Sequence, residues 1–322
     1  MSPLELVVLA AGLLAYALLS RRLAGSFVSM PLAFAAFGFA VGEGGLGLVR
    51  THPGHAGVHL LAELTLALVL FADAAHLDVR ELVREGSLAG RMLLLGLPLA
   101  ILFGALLAAG LLPEASWGAA FLLAAILAPT DAALGQPVIT DPAVPRDTRQ
   151  VMVAESGLND GLALPAVVMA AIWASGSAGE AHVAGPASSV AGFAALQVVM
   201  GPLVGGAVGW GGGLLVERAS AAGWMTESFR GIAILALALV AFALAELTGG
   251  NGFLAAFSGG VAIGCVAPQH CGRLLEFMEA EGQLLTLFTF FLFGVWLLPE
   301  GLAHANLAAL LYALGSLSLV RG

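Results

Sequence analysis

Long uncharged runs alternate with short polar breaks along the whole chain. The run "MLLLGLPLAILFGALLAAGLL", residues 92–112, holds 21 residues without a charge. As a helix it is roughly 31 Å long, against about 30 Å for the hydrocarbon core of a bilayer. Apolar runs and their breakers predict eleven such spans, at 4–20, 26–41, 59–77, 91–112, 117–140, 152–174, 188–216, 230–248, 252–267, 283–299 and 304–321. A soluble fold can bury one helix this apolar, but not a succession of them. The pattern therefore predicts an all-α polytopic membrane protein. The seventh span is long and Gly-rich and reads as tilted or broken. The fifth is long and interrupted.

Composition agrees. Hydrophobic residues make up 60% of the chain and charged residues 10%, where a soluble domain is nearer half and a quarter. The net charge of −9 forms no acidic tail. No basic patch carries interleaved aromatics, so nucleic acid is excluded as a partner. Arg21 and Arg22 follow the first apolar run rather than precede it, so that run reads as a retained span and not a signal peptide. Cys265 and Cys271 stand six apart and make neither a disulfide framework nor a metal site. In "THPGHAGVH", Pro53 and two glycines read as a loop, and no Cys or acid stands beside His52, His55 and His59. These are expected to be surface histidines rather than metal ligands.

Basic residues orient the spans. Ten arginines (21, 22, 80, 84, 91, 146, 149, 218, 230 and 273) fall in connections on one side, and only Arg50 on the other. The arginine-rich side should be cytoplasmic, which puts the N-terminus outside a bacterial inner membrane. Spans 1, 2 and 3 begin near 4, 26 and 59; spans 8, 9 and 10 begin near 230, 252 and 283. The near-constant offset predicts an internal repeat. Seven spans separate the copies, an odd number, so the second copy is inverted, as in many secondary transporters. This divides the chain into a first six-helix repeat (1–174), a linker helix with loops (175–229) and an incomplete second repeat (230–322). Two further helices are expected beyond span 11.

Within this apolar frame, three carboxylates need a reason. Asp131 lies fourteen residues into the run that begins at Trp117, roughly 21 Å along a helix. An ionised group at mid-bilayer costs about 2.5 to 3.5 kcal/mol on insertion scales. In "APTDAALGQP" (128–137), Pro129, Gly135 and Pro137 forbid a regular helix, so the span should unwind near Thr130. Unwound backbone at that depth is tolerated only in protein or beside a cavity, where its carbonyls become ligands. In "ESGLNDG" (155–161) the polar groups share one arc. With Glu155 at zero and about 100° per residue, Asn159 falls near 40°, Ser156 near 100° and Asp160 near 140°. A polar stripe facing the broken helix makes an all-oxygen site for a small hard cation or a proton. Asp141 and Asp147 belong to a polar connection and are left out of it.

The stretch "PTDAALGQPVITDPAVPRDTRQVMVAESGLNDGLALP" resembles the central signature of the monovalent cation:proton antiporter-1 family, the NhaP-type sodium/proton antiporters. "LALVLFADAAHLDVREL" (66–82) is also similar to that family. The resemblance implies thirteen helices, two inverted six-helix repeats, alternating access and a homodimer in the lipid. It implies no enzyme activity and no cofactor, with Na⁺ (or Li⁺ or K⁺) and H⁺ as transported ions. Asp160 would carry the ion and the proton. Thr130, Asp131, Glu155 and Ser156 would complete the Na⁺ site. Asn159 would brace the broken helix, and Arg321 resembles an arginine of the family's eleventh helix. Asn159 before Asp160 resembles the electroneutral branch.

Two other classes use similar residues. An intramembrane aspartyl protease would share a proton between Asp131 and Asp160, but the chain lacks a Gly-x-Gly-Asp context. A passive cation channel would need a continuous pore and no proton coupling.

Overall fold

The computed structural model describes residues 2–23, 28–50, 55–75, 77, 90–129, 143–145, 148–149, 190–266 and 282–320, together with 151, 152, 155, 159, 163, 166, 167, 169–171, 173 and 174. Ten helices are defined among them, in chain order: α1 (Pro3–Leu23), α2 (Met30–Val41), α3 (His55–Ala75), α4 (Leu93–Leu111), α5 (Trp117–Leu127), α6 (Val190–Ala221), α7 (Glu227–Leu247), α8 (Gly252–Val266), α9 (Gly282–Ala303) and α10 (Leu307–Val320). The described residues from 148 to 174 are helical as well, and no described residue is in a strand. Six of the helices are long and apolar enough to cross a membrane. Their outward faces are bare: Leu6, Leu14 and Leu18 of α1 and Leu203 and Leu215 of α6 are all exposed. In water such faces would be aggregation patches; in a bilayer they meet lipid.

Local chemistry sets the helix ends. Ser29 and Ser116 are extended N-cap residues whose hydroxyls accept from Leu32 N (3.4 Å) and Ala119 N (3.2 Å). Each satisfies a donor that the first turn would otherwise leave orphaned. Asn251 does the same for α8, its Oδ1 accepting from Phe253 N (2.9 Å) and Leu254 N (3.0 Å). Glu246 Oε1 takes Gly252 N (2.9 Å), and Gly249 supplies the positive φ (75°) of the α7–α8 turn. Three π-helical turns interrupt the regular helices, at Met92–Gly96, Phe293–Leu297 and Ser316–Val320.

The chain divides into two units. The first comprises residues 1–66 and 280–306. Its core joins Leu9, Phe34, Val41, Val49, Leu287, Phe291 and Val295. Rings run through it, from Tyr16 to Phe34 (centroids 5.4 Å apart), Phe34 to Phe37 (6.2 Å) and Phe37 to Phe291 (5.6 Å). Backbones also touch. A Cβ at Gly38 would strike the Phe291 carbonyl, one at Gly42 would lie 3.0 Å from Val295 Cα, and one at Gly294 would strike the Ala35 carbonyl. Thr65 Oγ1 lies 3.3 Å from Thr289 Oγ1, one polar link between α3 and α9. Glu5, 4% exposed, accepts from Arg50 N (3.0 Å) and ties the start of α1 to the connection after α2.

The second unit comprises residues 67–279 and 307–322. Its largest contact joins α6 and α8. Gly201, Gly205 and Gly209, four apart on α6, lie against the backbone of Asn251, Ala255 and Gly259, four apart on α8. Any side chain at these glycines would meet backbone. Such small-residue rows are how helices pack closely where lipid offers no hydrophobic drive. On α8, Gly260 and Gly264 lie against the carbonyls of Phe71 and Ala75 in α3. A second cluster holds α4, α5 and α10 together through Ala108, Ala120 and the buried Tyr312.

Several expectations change in detail. The seventh span is one unbroken helix of 32 residues, α6, with Pro202 inside it. The first helix of the fifth span, α5, ends at Leu127, and residues 130–140 of that span lie outside the described residues. The "THPGHAGVH" stretch is not all loop, because α3 already begins at His55.

Candidate functional site

Helix α5 ends where its sequence demands. Leu127 is the last helical residue, Ala128 is the C-cap with φ −71 and ψ −38, and Pro129 is already in a bend. Pro129 has no N–H to donate and its ring excludes the regular turn before it. The upstream half of the expected helix break is therefore in place. The rest of it, from Thr130 onward, lies outside the described residues.

Downstream, Glu155 and Asn159 are both helical, one turn apart. Asn159 Nδ2 donates to Glu155 Oε1 across 3.2 Å. Asn159 is 3% exposed and Glu155 is half-buried. The predicted stripe thus places at least one amide and one carboxylate together on the inward side of this helix. The amide donor lowers the cost of a carboxylate at depth and holds its oxygens in a fixed direction. Val151, Ala163 and Ala170 on the same helical stretch are buried apolar residues, so the polar pair sits in a largely apolar wall. Trp173 packs its ring on Phe121 of α5 (5.4 Å), and a Cβ at Gly118 would lie 2.5 Å from Ala174 N. The far end of this helix is therefore fixed against α5, the helix that runs into the break.

Of the residues named from sequence, the structure brings together Glu155 and Asn159. Thr130, Asp131, Ser156, Asp160 and Arg321 lie outside the described residues. Asp73 is not among the site residues expected from the sequence. It is half-buried on α3 between Ala72 and Ala74, both buried. An acid inside an apolar helix is itself a functional signal, and that signal stands in "LVLFADAA". The stretch 51–59 holds no acid, whereas Glu63 Oε1 lies 3.1 Å from His59 Nδ1.

A helix stopped by proline and a polar pair on the following helix, inside a bilayer-spanning frame, fit the secondary-transporter class of membrane protein. The comparison with known families makes this specific. The family described as "Sodium/hydrogen exchanger, transmembrane" matches residues 8–322, and the chain belongs to that family. It is a transporter family, which sets aside the protease and the channel. The fold is similar to that of the sodium proton antiporter MjNhaP1 from Methanocaldococcus jannaschii. One structure of that protein, at pH 8, matches with a TM-score of 0.72 at 18% identity, covering 98% of this chain and 74% of that one. An electron-microscopy structure matches with a TM-score of 0.71 at 16% identity, covering 100% of this chain and 76% of the other.

Proposed function

We propose that this protein exchanges a monovalent cation, Na⁺, for H⁺ by competition of the two ions for the Asp160 carboxylate. The observation that carries the reading is the Asn159–Glu155 pair, its amide buried, on the helix that follows the proline-stopped α5. Asp160 is the next residue after Asn159 and the nearest carboxylate downstream of that pair. When it is ionised, a cation neutralises it, with oxygen ligands from Thr130, Asp131, Glu155 and Ser156. When it takes a proton, the site loses that charge and the cation leaves. Burial and neighbouring acids move such a carboxylate's proton affinity toward the working range. Asn159 carries an amide and no titratable proton. One carboxylate then trades one proton for one cation, so the cycle moves no net charge.

The same reading makes residues 1–174 and 230–322 two inverted copies and the assembly a homodimer in lipid. It places the N-terminus outside a bacterial inner membrane. Everted vesicles with an internal pH dye test the exchange. Added Na⁺ should restore the dye signal in the wild type, Asp160→Asn should abolish the response, and an imposed membrane potential should leave its rate unchanged. Na⁺ flux indifferent to pH would sink the proposal.

A further inference from the structure

Tyr312 lies on α10, 3% exposed, in the cluster it shares with Ala108 of α4 and Ala120 of α5. Its hydroxyl is fully enclosed and has no hydrogen-bond partner among the described residues. The side chains around the cluster, Leu107, Leu111 and Leu123, offer none. A tyrosine hydroxyl usually finds a partner when it is buried, and one left without it calls for a physical reason.

Gly104 on α4 shows where the hydroxyl points. A Cβ there would lie 3.0 Å from Ala124 Cβ and 3.5 Å from the Tyr312 oxygen. The glycine leaves a notch in α4 through which the phenol oxygen comes up to the last turn of α5. That turn holds the complementary defect. A helical carbonyl accepts from the N–H four residues on. Four residues after Ala125 stands Pro129, which has no N–H. Ala125 is 1% exposed, so bulk water does not serve its carbonyl. A donor without an acceptor thus lies beside Ala124, and an acceptor without its helical donor belongs to the next residue. The two make no direct bond. One water can span them, accepting from the phenol O–H and donating to the carbonyl.

We propose that Tyr312 is a positioning residue for the ion site, holding the end of α5 through a buried water between its hydroxyl and the Ala125 carbonyl. Thr130 and Asp131 follow Pro129 directly in the chain, so whatever fixes the last turn of α5 sets where those ligands start. The inference rests on the reading that the ion is held where α5 ends. Everted vesicles carrying the full chain give the apparent KM for Na⁺ and the maximal rate, and melting in detergent gives stability. Tyr312→Phe keeps the ring and deletes only the hydroxyl. It should raise KM about fivefold, the worth of one net hydrogen bond, leave the maximal rate unchanged and lower the melting temperature slightly. A hydroxyl that has no partner gives the reverse, because deleting it relieves a buried polar group: melting rises and KM keeps its wild-type value. Either of those results overturns the proposal. Tyr16→Phe, in the first unit, is the control for a lost phenol oxygen and should keep the wild-type KM; an equal rise there also overturns it. Asp160→Asn separates this inference from the reading beneath it. Exchange that survives Asp160→Asn overturns the reading, whereas exchange abolished by Asp160→Asn but unaltered in Tyr312→Phe overturns the inference alone.

Discussion

Two helix crossings in this protein use one device and finish it differently. In the first unit, Gly38 and Gly42 of α2 lie against the backbone of α9 at Phe291 and Val295. In the second, Gly260 and Gly264 of α8 lie against the backbone of α3 at Phe71 and Ala75. Glycines four apart face positions four apart, and the first facing residue is phenylalanine both times. Under the proposed division of the chain, these are the second helix of each copy meeting the third helix of the other. The finishing differs. Rings of Tyr16, Phe34, Phe37 and Phe291 wrap the α2·α9 crossing, and a π-helical turn lets Gly294 approach Ala35 in return. The α3·α8 crossing instead has a second glycine row behind it, on α6. One is held by side-chain volume and the other by backbone proximity.

That contrast can be broken from either side. Phe291→Ala should have the largest effect, because it empties the centre of the ring cluster. Phe291 is 1% exposed, and truncating a buried aromatic costs about 3 to 5 kcal/mol. The drop in melting temperature in detergent measures it; a loss no larger than that of an exposed Phe229→Ala would refute the ring-held account. Next comes Gly205→Ala on α6, whose new methyl would strike the Ala255 carbonyl. Overpacking of this kind costs about 1 to 3 kcal/mol. The adjacent Gly206 has nothing within 4 Å of its would-be Cβ, so Gly206→Ala should be neutral or slightly stabilising. Equal melting of these two variants would dissolve the backbone-proximity account. Smallest is Thr65→Val, which deletes the 3.3 Å link to Thr289. Such bonds between membrane helices average about 0.6 kcal/mol, so a shift comparable to that of Gly205→Ala would mean that polar glue matters more than packing there.

How much of this was legible in the sequence depends on which physical signal each feature leaves. The spans were legible because apolar length is a direct readout of bilayer thickness. The end of α5 was legible because Pro129 acts locally. The pairing of Glu155 with Asn159 followed from i,i+4 spacing alone. The glycine row at 201, 205 and 209 is visible as a spacing, but its partner α8 is not, since the row says only that some backbone approaches. The π-helical turns leave no compositional trace: inserting one residue into a turn changes phase, not hydropathy. Asn251 was illegible for a different reason. It stands in a Gly-Gly-Asn-Gly turn that reads as surface, yet it is 1% exposed because its side chain folds back as the cap of α8. The start of α3 at His55 was misread as loop because Pro53 and Gly54 just before it are strong local breakers, and the helix begins immediately after them.

The length of α6 has a mechanical consequence. Its apolar part, Ala195–Ala221, holds 27 residues, about 40 Å of helix, some 10 Å more than a typical hydrocarbon core. The excess is absorbed by tilt, by local thickening of the bilayer or by projection beyond it. The glycine row bolts α6 to α8, so the pair leans as one strut. The excess length of α6 is thus carried by a glycine-packed helix pair and not by a helix holding residues assigned to the ion.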